Sequence, residues 1–200
     1  MIHINKTSAI NTNYLIFEFE IDDGIPVDYI KNESNYVQIK KQSRNNFNNN
    51  KLGEIKIKSL LESFSNENLY KIVNDIYESN KEEMAILWPF PIIKYKSMYE
   101  FIKQNSIITT QIFMDTPGFS LAPHFDNRFV FANFILNLVD NQVNTKFYDY
   151  SQNYKLIYEA PNEKGKGVFF LNYENSCHSY INDSFKNRYA IISTVSLKLF

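Results

Sequence analysis

The sequence predicts a mainly β protein with flanking helices, an α+β chain whose core is an antiparallel sandwich, jelly roll or barrel. Its 200 residues are 44% apolar and 16% aromatic, which is enough for one sizeable core. From residue 106 onward, short apolar runs are separated by turn residues rather than by helical segments, so parallel βαβ units are disfavoured. Seven of these runs qualify as strands: SIITTQIFMD, RFVFANFILNLV, TKFYDY, YKLIYEA, GVFFLN, SCHSYI and RYAIISTVSLKLF.

The N-terminal part of the chain predicts a strand and a loop. In LIFEFEID (15–22), apolar residues alternate with acidic ones, which is the period of two expected for a half-buried strand. The segment SRNNFNNNKLG (43–53) is dominated by asparagine, so it is predicted to be a loop.

A helix is predicted over NENLYKIVNDIYESNKEEM (66–84), behind Ser65 and Asn66 as candidate caps. Its apolar residues recur at helical spacing: Leu69, Ile72, Val73, Ile76 and Tyr77. A helix that is apolar on one face needs an apolar surface to cover. We therefore expect this stripe to pack on the outside of one sheet.

The charge balance gives no support for nucleic-acid binding. The chain has 21 basic and 22 acidic residues, spread along its length, so no basic face is expected. Its N-terminus lacks the basic and apolar regions of a signal peptide, and no run of eighteen apolar residues occurs. Cys177 is the only cysteine and has no intramolecular disulfide partner. These features predict a cytoplasmic protein without a membrane partner, and they leave its oligomeric state open.

A histidine and an aspartate two residues apart are the first candidates for chemistry. His124 and Asp126 would point to the same side of a strand end, because side chains alternate along a strand. A third ligand is available in His178, within the strand candidate SCHSYI. Two imidazoles and one carboxylate with open positions form the facial triad of non-haem Fe(II) oxygenases. A His-x-Asp pair alone arises easily by chance, so the prediction of one metal site depends on all three residues.

Arg188 is the candidate for cosubstrate binding. It begins the long final strand candidate, RYAIISTVSL, whose first residues can return to the same pocket. A guanidinium inside an apolar barrel needs a charged partner, and a dicarboxylate cosubstrate would be one. Asn133 is a candidate for a hydrogen bond to that cosubstrate, and a structural hydrogen bond is the alternative.

The order of these residues resembles a known family. His124-x-Asp126, then His178 fifty-two residues later and Arg188 ten further on, looks like the Fe(II)- and 2-oxoglutarate-dependent dioxygenases. DTPGFSLAPHFD is similar to the Gly-x-x-x-x-Pro-His-x-Asp segment of the prolyl 4-hydroxylase-like branch. NTKFYD resembles the Thr-x-Phe of that branch, and APNEKGKGVFF resembles its strand before the distal histidine. The resemblance covers residues 106–200.

The resemblance implies a double-stranded β-helix, a form of jelly roll, over 106–200. Strands and supporting helices in 1–105 would complete a single domain of residues 1–200. It also implies Fe(II), 2-oxoglutarate and O2 as cofactors, with His124, Asp126 and His178 as catalytic metal ligands and Arg188 on the cosubstrate. The reaction implied is hydroxylation of a C–H bond in a small molecule or peptide, with release of succinate and CO2. Peptidyl proline or a free amino acid is the first choice of substrate.

Some positions depart from the pattern of this branch. Asp115 stands where a tyrosine is frequent, and a carboxylate there would repel the cosubstrate. Ala190 replaces a frequent serine, and Val143-Asn144 replaces a Gly-Gly pair. The ligand Asp126 is retained, which implies hydroxylation or a related oxidation rather than halogenation. Two other classes stay open: a cupin-like metalloenzyme that does not use 2-oxoglutarate, and a binding protein without turnover.

Overall fold

Two antiparallel sheets form the framework of the protein. The computed structural model describes residues 2–3, 16–21, 24–38, 43–51, 54–82, 95–172 and 176–198. The described strands are β1 (Ile2–His3), β2 (Ile16–Ile21), β3 (Tyr36–Gln38), β4 (Arg44–Phe47), β5 (Ser106–Asp115), β6 (Ser120–His124), β7 (Val130–Asn137), β8 (Lys146–Asp149), β9 (Lys155–Glu159), β10 (Lys166–Leu171), β11 (His178–Ile181) and β12 (Arg188–Leu197). The described helices are α1 (Val27–Lys31), α2 (Ile55–Ser63), α3 (Asn66–Ser79) and α4 (Met98–Asn105).

The strand order is that of a jelly roll extended at both edges of one sheet. The larger sheet runs β1-β2-β10-β7-β12-β5-β4-β3, and the smaller one runs β6-β11-β8-β9. The eight strands from β5 onward divide between the two sheets as in a double-stranded β-helix: the larger sheet holds β5, β7, β10 and β12, and the smaller sheet holds β6, β8, β9 and β11. The predicted fold class is therefore confirmed. The N-terminal strands β2 and β4 pair with β10 and β5 and widen the larger sheet.

The two faces of the larger sheet bury different sets of side chains. Successive residues of β7 show the alternation: Phe134 belongs to one apolar cluster with the helices, and Ile135 belongs to a second cluster between the sheets. Phe169 and Phe170 of β10 divide in the same way. The sheet is therefore apolar on both sides, which explains why β7 is buried along nearly its whole length.

The helices cover the outer face of the larger sheet. Leu69 and Val73 of α3 are completely or almost completely buried in the same cluster as Phe134 and Phe169, which confirms the predicted packing of this helix. The helix α4 starts at Ser97, whose hydroxyl accepts a hydrogen bond from the Glu100 N–H, and leads directly into β5. Within the described residues, no helix is long and apolar enough to cross a membrane.

Some segments differ from the prediction. A helix was predicted over 66–84, but α3 ends at Ser79, with Asn80 as its C-cap. The asparagine-rich segment 43–53 was predicted to be a loop, but residues Arg44–Phe47 form β4 and pair with β5. Its partner residues in β5 lie about seventy positions further along the chain, so a local composition rule cannot detect this pairing. Residues Ser120–His124 form a strand that was not among the seven candidates, because SLAPH contains a proline and no β-branched residue.

Candidate metal centre

The three predicted ligands meet at one end of the smaller sheet. His124 is the last residue of β6, His178 is the first residue of β11, and the pairing register places them directly opposite each other. Asp126 follows β6 by two residues and turns back towards both rings. The local sequence explains this placement, because His124 and Asp126 flank the point where β6 ends.

The distances between the ligand atoms fit one metal ion. His124 Nε2 lies 3.8 Å from Asp126 Oδ1, and His178 Nε2 lies 3.9 Å from Asp126 Oδ2. One ligand atom from each residue lies within 4.8 Å of the other two. Bonds of about 2 Å from three such atoms converge on one ion, and they leave the remaining positions of an octahedron open.

The hydrogen bonds of the two rings fix the nitrogen that faces the site. His124 Nδ1 lies 2.9 Å from the Ala122 carbonyl oxygen, and His178 Nδ1 lies 2.9 Å from the Ser176 carbonyl oxygen. A carbonyl oxygen only accepts, so Nδ1 of each ring must carry the proton and donate it. Both Nε2 lone pairs are therefore available for a metal, with the carbonyls as the outer partners that orient the rings.

Burial favours the neutral form of His178. Its side chain is 9% exposed, and its ring packs against Phe147 and Phe170. Desolvation lowers the pKa of His178, and the nearby Asp126 carboxylate opposes this shift. A metal replaces a proton on imidazole, so a ring that is neutral near pH 7 is ready to bind one.

Asn133 contacts the site through a metal ligand. Its Nδ2 donates to Asp126 Oδ2 at 2.6 Å, and its Oδ1 accepts a hydrogen bond from the Thr194 hydroxyl at 2.8 Å. The amide was a candidate for contact with the cosubstrate, and the structure shows that its nitrogen and its oxygen each make one hydrogen bond within the protein. This geometry supports a positioning role for Asn133 on the Asp126 carboxylate.

Replacement of Asn133 by alanine is expected to lower metal affinity by about 10- to 100-fold, because the Asp126 carboxylate loses its orienting partner. Titration calorimetry with Fe(II) or Mn(II) under anaerobic conditions measures this change. Asn137→Ala is the matched control: Asn137 lies on the same strand, but its amide donates to the Pro161 and Lys166 carbonyls. Equal metal affinity in the two variants would contradict the positioning role.

A pocket of about 240 Å³ between the sheets connects the triad to Arg188. His124, Asp126 and His178 line one part of it, and Arg188 lines another. The side chains Ile135, Phe170 and Ile192 form an apolar wall of the same pocket. The structure therefore places all five predicted site residues, Asn133 included, around one space.

Arg188 is buried and only loosely engaged. Its side chain is 3% exposed, and its Nη atoms lie 3.4 Å from Asp115 Oδ2 and from the Thr145 hydroxyl. Both contacts are longer than usual for a hydrogen bond from a guanidinium. Burial lowers the pKa of Arg188, and Tyr180 and Asp115 oppose that shift; arginine starts so far above neutrality that it keeps its charge.

Asp115 joins Arg188 to a second arginine. Arg44 on β4 and Arg188 on β12 both lie opposite Asp115 in the strand pairing, so the three residues form a row across the sheet. Arg44 Nε and Nη2 donate to the two Asp115 oxygens at 2.5 and 2.9 Å. Asp115 was expected to repel a carboxylate, but two cations accompany it, and the row carries a net charge of +1.

Two buried polar groups in the pocket have no hydrogen-bond partner among the described residues. They are the Arg188 Nε–H and the Tyr180 hydroxyl. The Arg188 guanidinium lies 3.8 Å above the Tyr180 ring, so both groups belong to the same end of the pocket. A buried donor without a hydrogen bond reduces the stability of the fold, and a carboxylate bound here would accept hydrogen bonds from both groups. The donors thus fit an anionic cosubstrate, as the triad fits a metal.

Comparison with solved structures identifies the fold. A prolyl 4-hydroxylase from Pseudomonas putida superposes with a TM-score of 0.58 at 8% identity, over 92% of this chain and 94% of that one. The fold is that of the 2-oxoglutarate-dependent oxygenases. No family model matches the sequence, and a search of curated proteins finds no match.

Two further structures show the range of oxygenases with this fold. A Trichoplax adhaerens prolyl hydroxylase, in complex with a peptide of hypoxia inducible factor, has a TM-score of 0.53 at 11% identity, over 93% of this chain and 84% of that one. The α-ketoglutarate-dependent epimerase of nogalamycin biosynthesis also has a TM-score of 0.53, at 10% identity, over 92% and 78% of the two chains. The oxygenase fold therefore accommodates more than one reaction and more than one class of substrate.

Sequence reasoning missed Arg44 and Tyr180, and it gave no role to Thr145, which it noted only as part of the Thr-x-Phe resemblance. Arg44 lies in the segment predicted to be a loop, although it is one of only three arginines in the chain, a scarcity that could have drawn attention to it. Tyr180 is two residues after His178 and so points to the same side of β11, which is the one available clue to its place in the pocket.

Proposed function

We propose that this protein is an Fe(II)- and 2-oxoglutarate-dependent oxygenase that hydroxylates an unactivated C–H bond and releases succinate and CO2. One observation carries the proposal: a pocket with the triad His124, Asp126 and His178 in one part and the loosely engaged Arg188 in another. A metal held by the triad would bind the 2-oxo acid end of a 2-oxo dicarboxylate, and the buried guanidinium would bind its distal carboxylate.

Each residue has a defined part in this proposal. His124, Asp126 and His178 would hold Fe(II), which supplies open positions for the 2-oxo acid and O2 and the oxidising power for the reaction. Arg188 would bind the distal carboxylate and fix the orientation of the cosubstrate. The apolar wall of Ile135, Phe170 and Ile192 excludes water from the space between these two ends.

A peptide that contains proline is the substrate class favoured by the surface beside the triad. Phe125 lies between two metal ligands and is 39% exposed, and its ring contacts Tyr150 at a centroid distance of 5.5 Å. Tyr150 in turn contacts the exposed Tyr154, in a turn where Asn153 and Tyr154 have positive φ angles of 56° and 58°. A row of exposed aromatic rings in contact with one another is the kind of surface that binds extended, proline-rich segments.

A cupin-like metalloenzyme without 2-oxoglutarate is the second candidate. It is favoured by the position of Asp115, which gives Arg188 an anionic neighbour within the protein. The 3.4 Å separation and the unpartnered Nε–H favour the first proposal, because a purely structural arginine would make shorter and more complete hydrogen bonds.

Succinate release tests the proposed activity. The iron-loaded protein is incubated in air with 2-oxoglutarate and pools of proline-containing peptides, amino acids or nucleotides, beside an Asp126→Ala control. We expect the peptide pool to stimulate succinate release and to gain one oxygen atom by mass spectrometry. Succinate release no greater than that of Asp126→Ala with every pool would contradict the proposal.

A further inference from the structure

Arg44 is a second arginine of the pocket, and the proposed function has so far given it no role. Its side chain lines the pocket from β4, outside the segment 106–200 whose sequence resembles the oxygenases. The rings of Phe113 and Phe119 lie 4.6 and 4.3 Å from its central carbon and fix its position. From there it makes two short hydrogen bonds to the carboxylate of Asp115, which is 1% exposed.

Asp115 is thereby shared unequally between the two arginines. Arg44 contacts both carboxylate oxygens, at 2.5 and 2.9 Å, whereas Arg188 approaches only Oδ2, at 3.4 Å. A buried carboxylate is stable only with a cationic partner, and Arg44 already supplies it. Arg188 therefore has no close anionic partner of its own, and its Nε–H has no hydrogen-bond partner among the described residues.

We propose that Arg44 is a positioning residue that neutralises Asp115 and so keeps Arg188 available for the distal carboxylate of the cosubstrate. Without Arg44, the nearest cation to Asp115 is Arg188, and the carboxylate would turn to it. The net charge of the row would fall from +1 to zero, and an internal carboxylate would compete with the cosubstrate for the same guanidinium. This inference depends on the proposed use of 2-oxoglutarate.

The test measures 2-oxoglutarate affinity by titration calorimetry on anaerobic, Fe(II)-loaded protein. Arg44→Met removes the charge and keeps an apolar side chain between Phe113 and Phe119. We expect the Kd of 2-oxoglutarate to rise at least about thirtyfold, because Asp115 then occupies Arg188. In the double variant Arg44→Met/Asp115→Asn, the competing charge is gone, and we expect the Kd to return to within a few-fold of the wild-type value.

Arg44→Lys is the second variant, since it keeps the positive charge beside Asp115 and should retain most of the affinity. It also keeps the test valid if Arg44→Met does not fold.

Wild-type affinity in Arg44→Met would overturn the proposal. So would weak binding that Asp115→Asn does not restore, which would indicate direct contact or simple packing by Arg44. Loss of affinity in Arg44→Lys would count against it as well. Absence of 2-oxoglutarate binding to the wild-type protein would instead refute the proposed function on which the inference rests.

Discussion

Replacement of His178 by alanine is expected to abolish stoichiometric Fe(II) binding. The triad has only three protein ligands, so loss of one imidazole leaves a bidentate site that does not hold Fe(II) at micromolar concentration. Anaerobic titration calorimetry with Fe(II) measures the loss, and circular dichroism shows whether the sheets remain. Iron affinity equal to that of the wild type would refute the assignment of His178 as a ligand.

The packing of His178 requires a control for stability. A ligand at the surface of a pocket would contribute little to the core, but this ring is buried against Phe147 and Phe170. Its truncation is expected to reduce the free energy of unfolding by about 2 kcal/mol. Cys177→Ala is the matched control, because the neighbouring Cys177 is also buried, lies outside the triad and should leave iron binding unchanged. His124→Ala, at a half-exposed ligand, should abolish iron binding with a smaller loss of stability.

Replacement of Arg188 by alanine is expected to weaken 2-oxoglutarate binding by about 2 to 5 kcal/mol, which is roughly thirtyfold to several thousandfold in Kd. The distal carboxylate would lose its charge-assisted hydrogen bonds and remain in a poorly hydrated pocket. Arg188→Lys should recover part of the affinity, since the charge survives without the planar fork of donors. Iron binding should hardly change. Titration of 2-oxoglutarate into the iron-loaded variants measures both effects.

Arg128→Ala is the matched control for Arg188→Ala. It removes the same charge from an exposed side chain that lies over the Phe129 ring and is not among the residues that line the pocket. We expect it to leave the Kd of 2-oxoglutarate unchanged. If Arg188→Ala binds the cosubstrate as tightly as Arg128→Ala, then Arg188 is a structural residue paired with Asp115, and the cupin-like alternative gains support.

The strands and the pair His124 and Asp126 were predictable because their signals are local. Short apolar runs between turn residues predict strands such as β5, and the short spacing of His124 and Asp126 places both on one side of a strand end. The position of His178 opposite His124 depends on the register of β6 and β11, which no local pattern contains. The resemblance to a known family supplied that long-range information.

The Arg188 end of the pocket was harder to predict because its charged residues are distant from one another in sequence. Arg44 and Asp115 are 71 residues apart, and Asp115 and Arg188 are 73 apart. Charge alone suggested that Asp115 would repel an anion, since its sequence neighbours do not reveal the two guanidinium groups on the adjacent strands. A buried charge can be interpreted only with its partners, and sheet pairing determines these.

We propose that the triad and Arg188 bind the two ends of one 2-oxoglutarate molecule. Anaerobic addition of Fe(II) and then 2-oxoglutarate tests this claim, because chelation of the metal by the 2-oxo acid produces a weak visible charge-transfer band. We expect the band to appear only when both are present and to saturate at one equivalent of each. Stoichiometric Fe(II) binding without any band at saturating 2-oxoglutarate would contradict the claim.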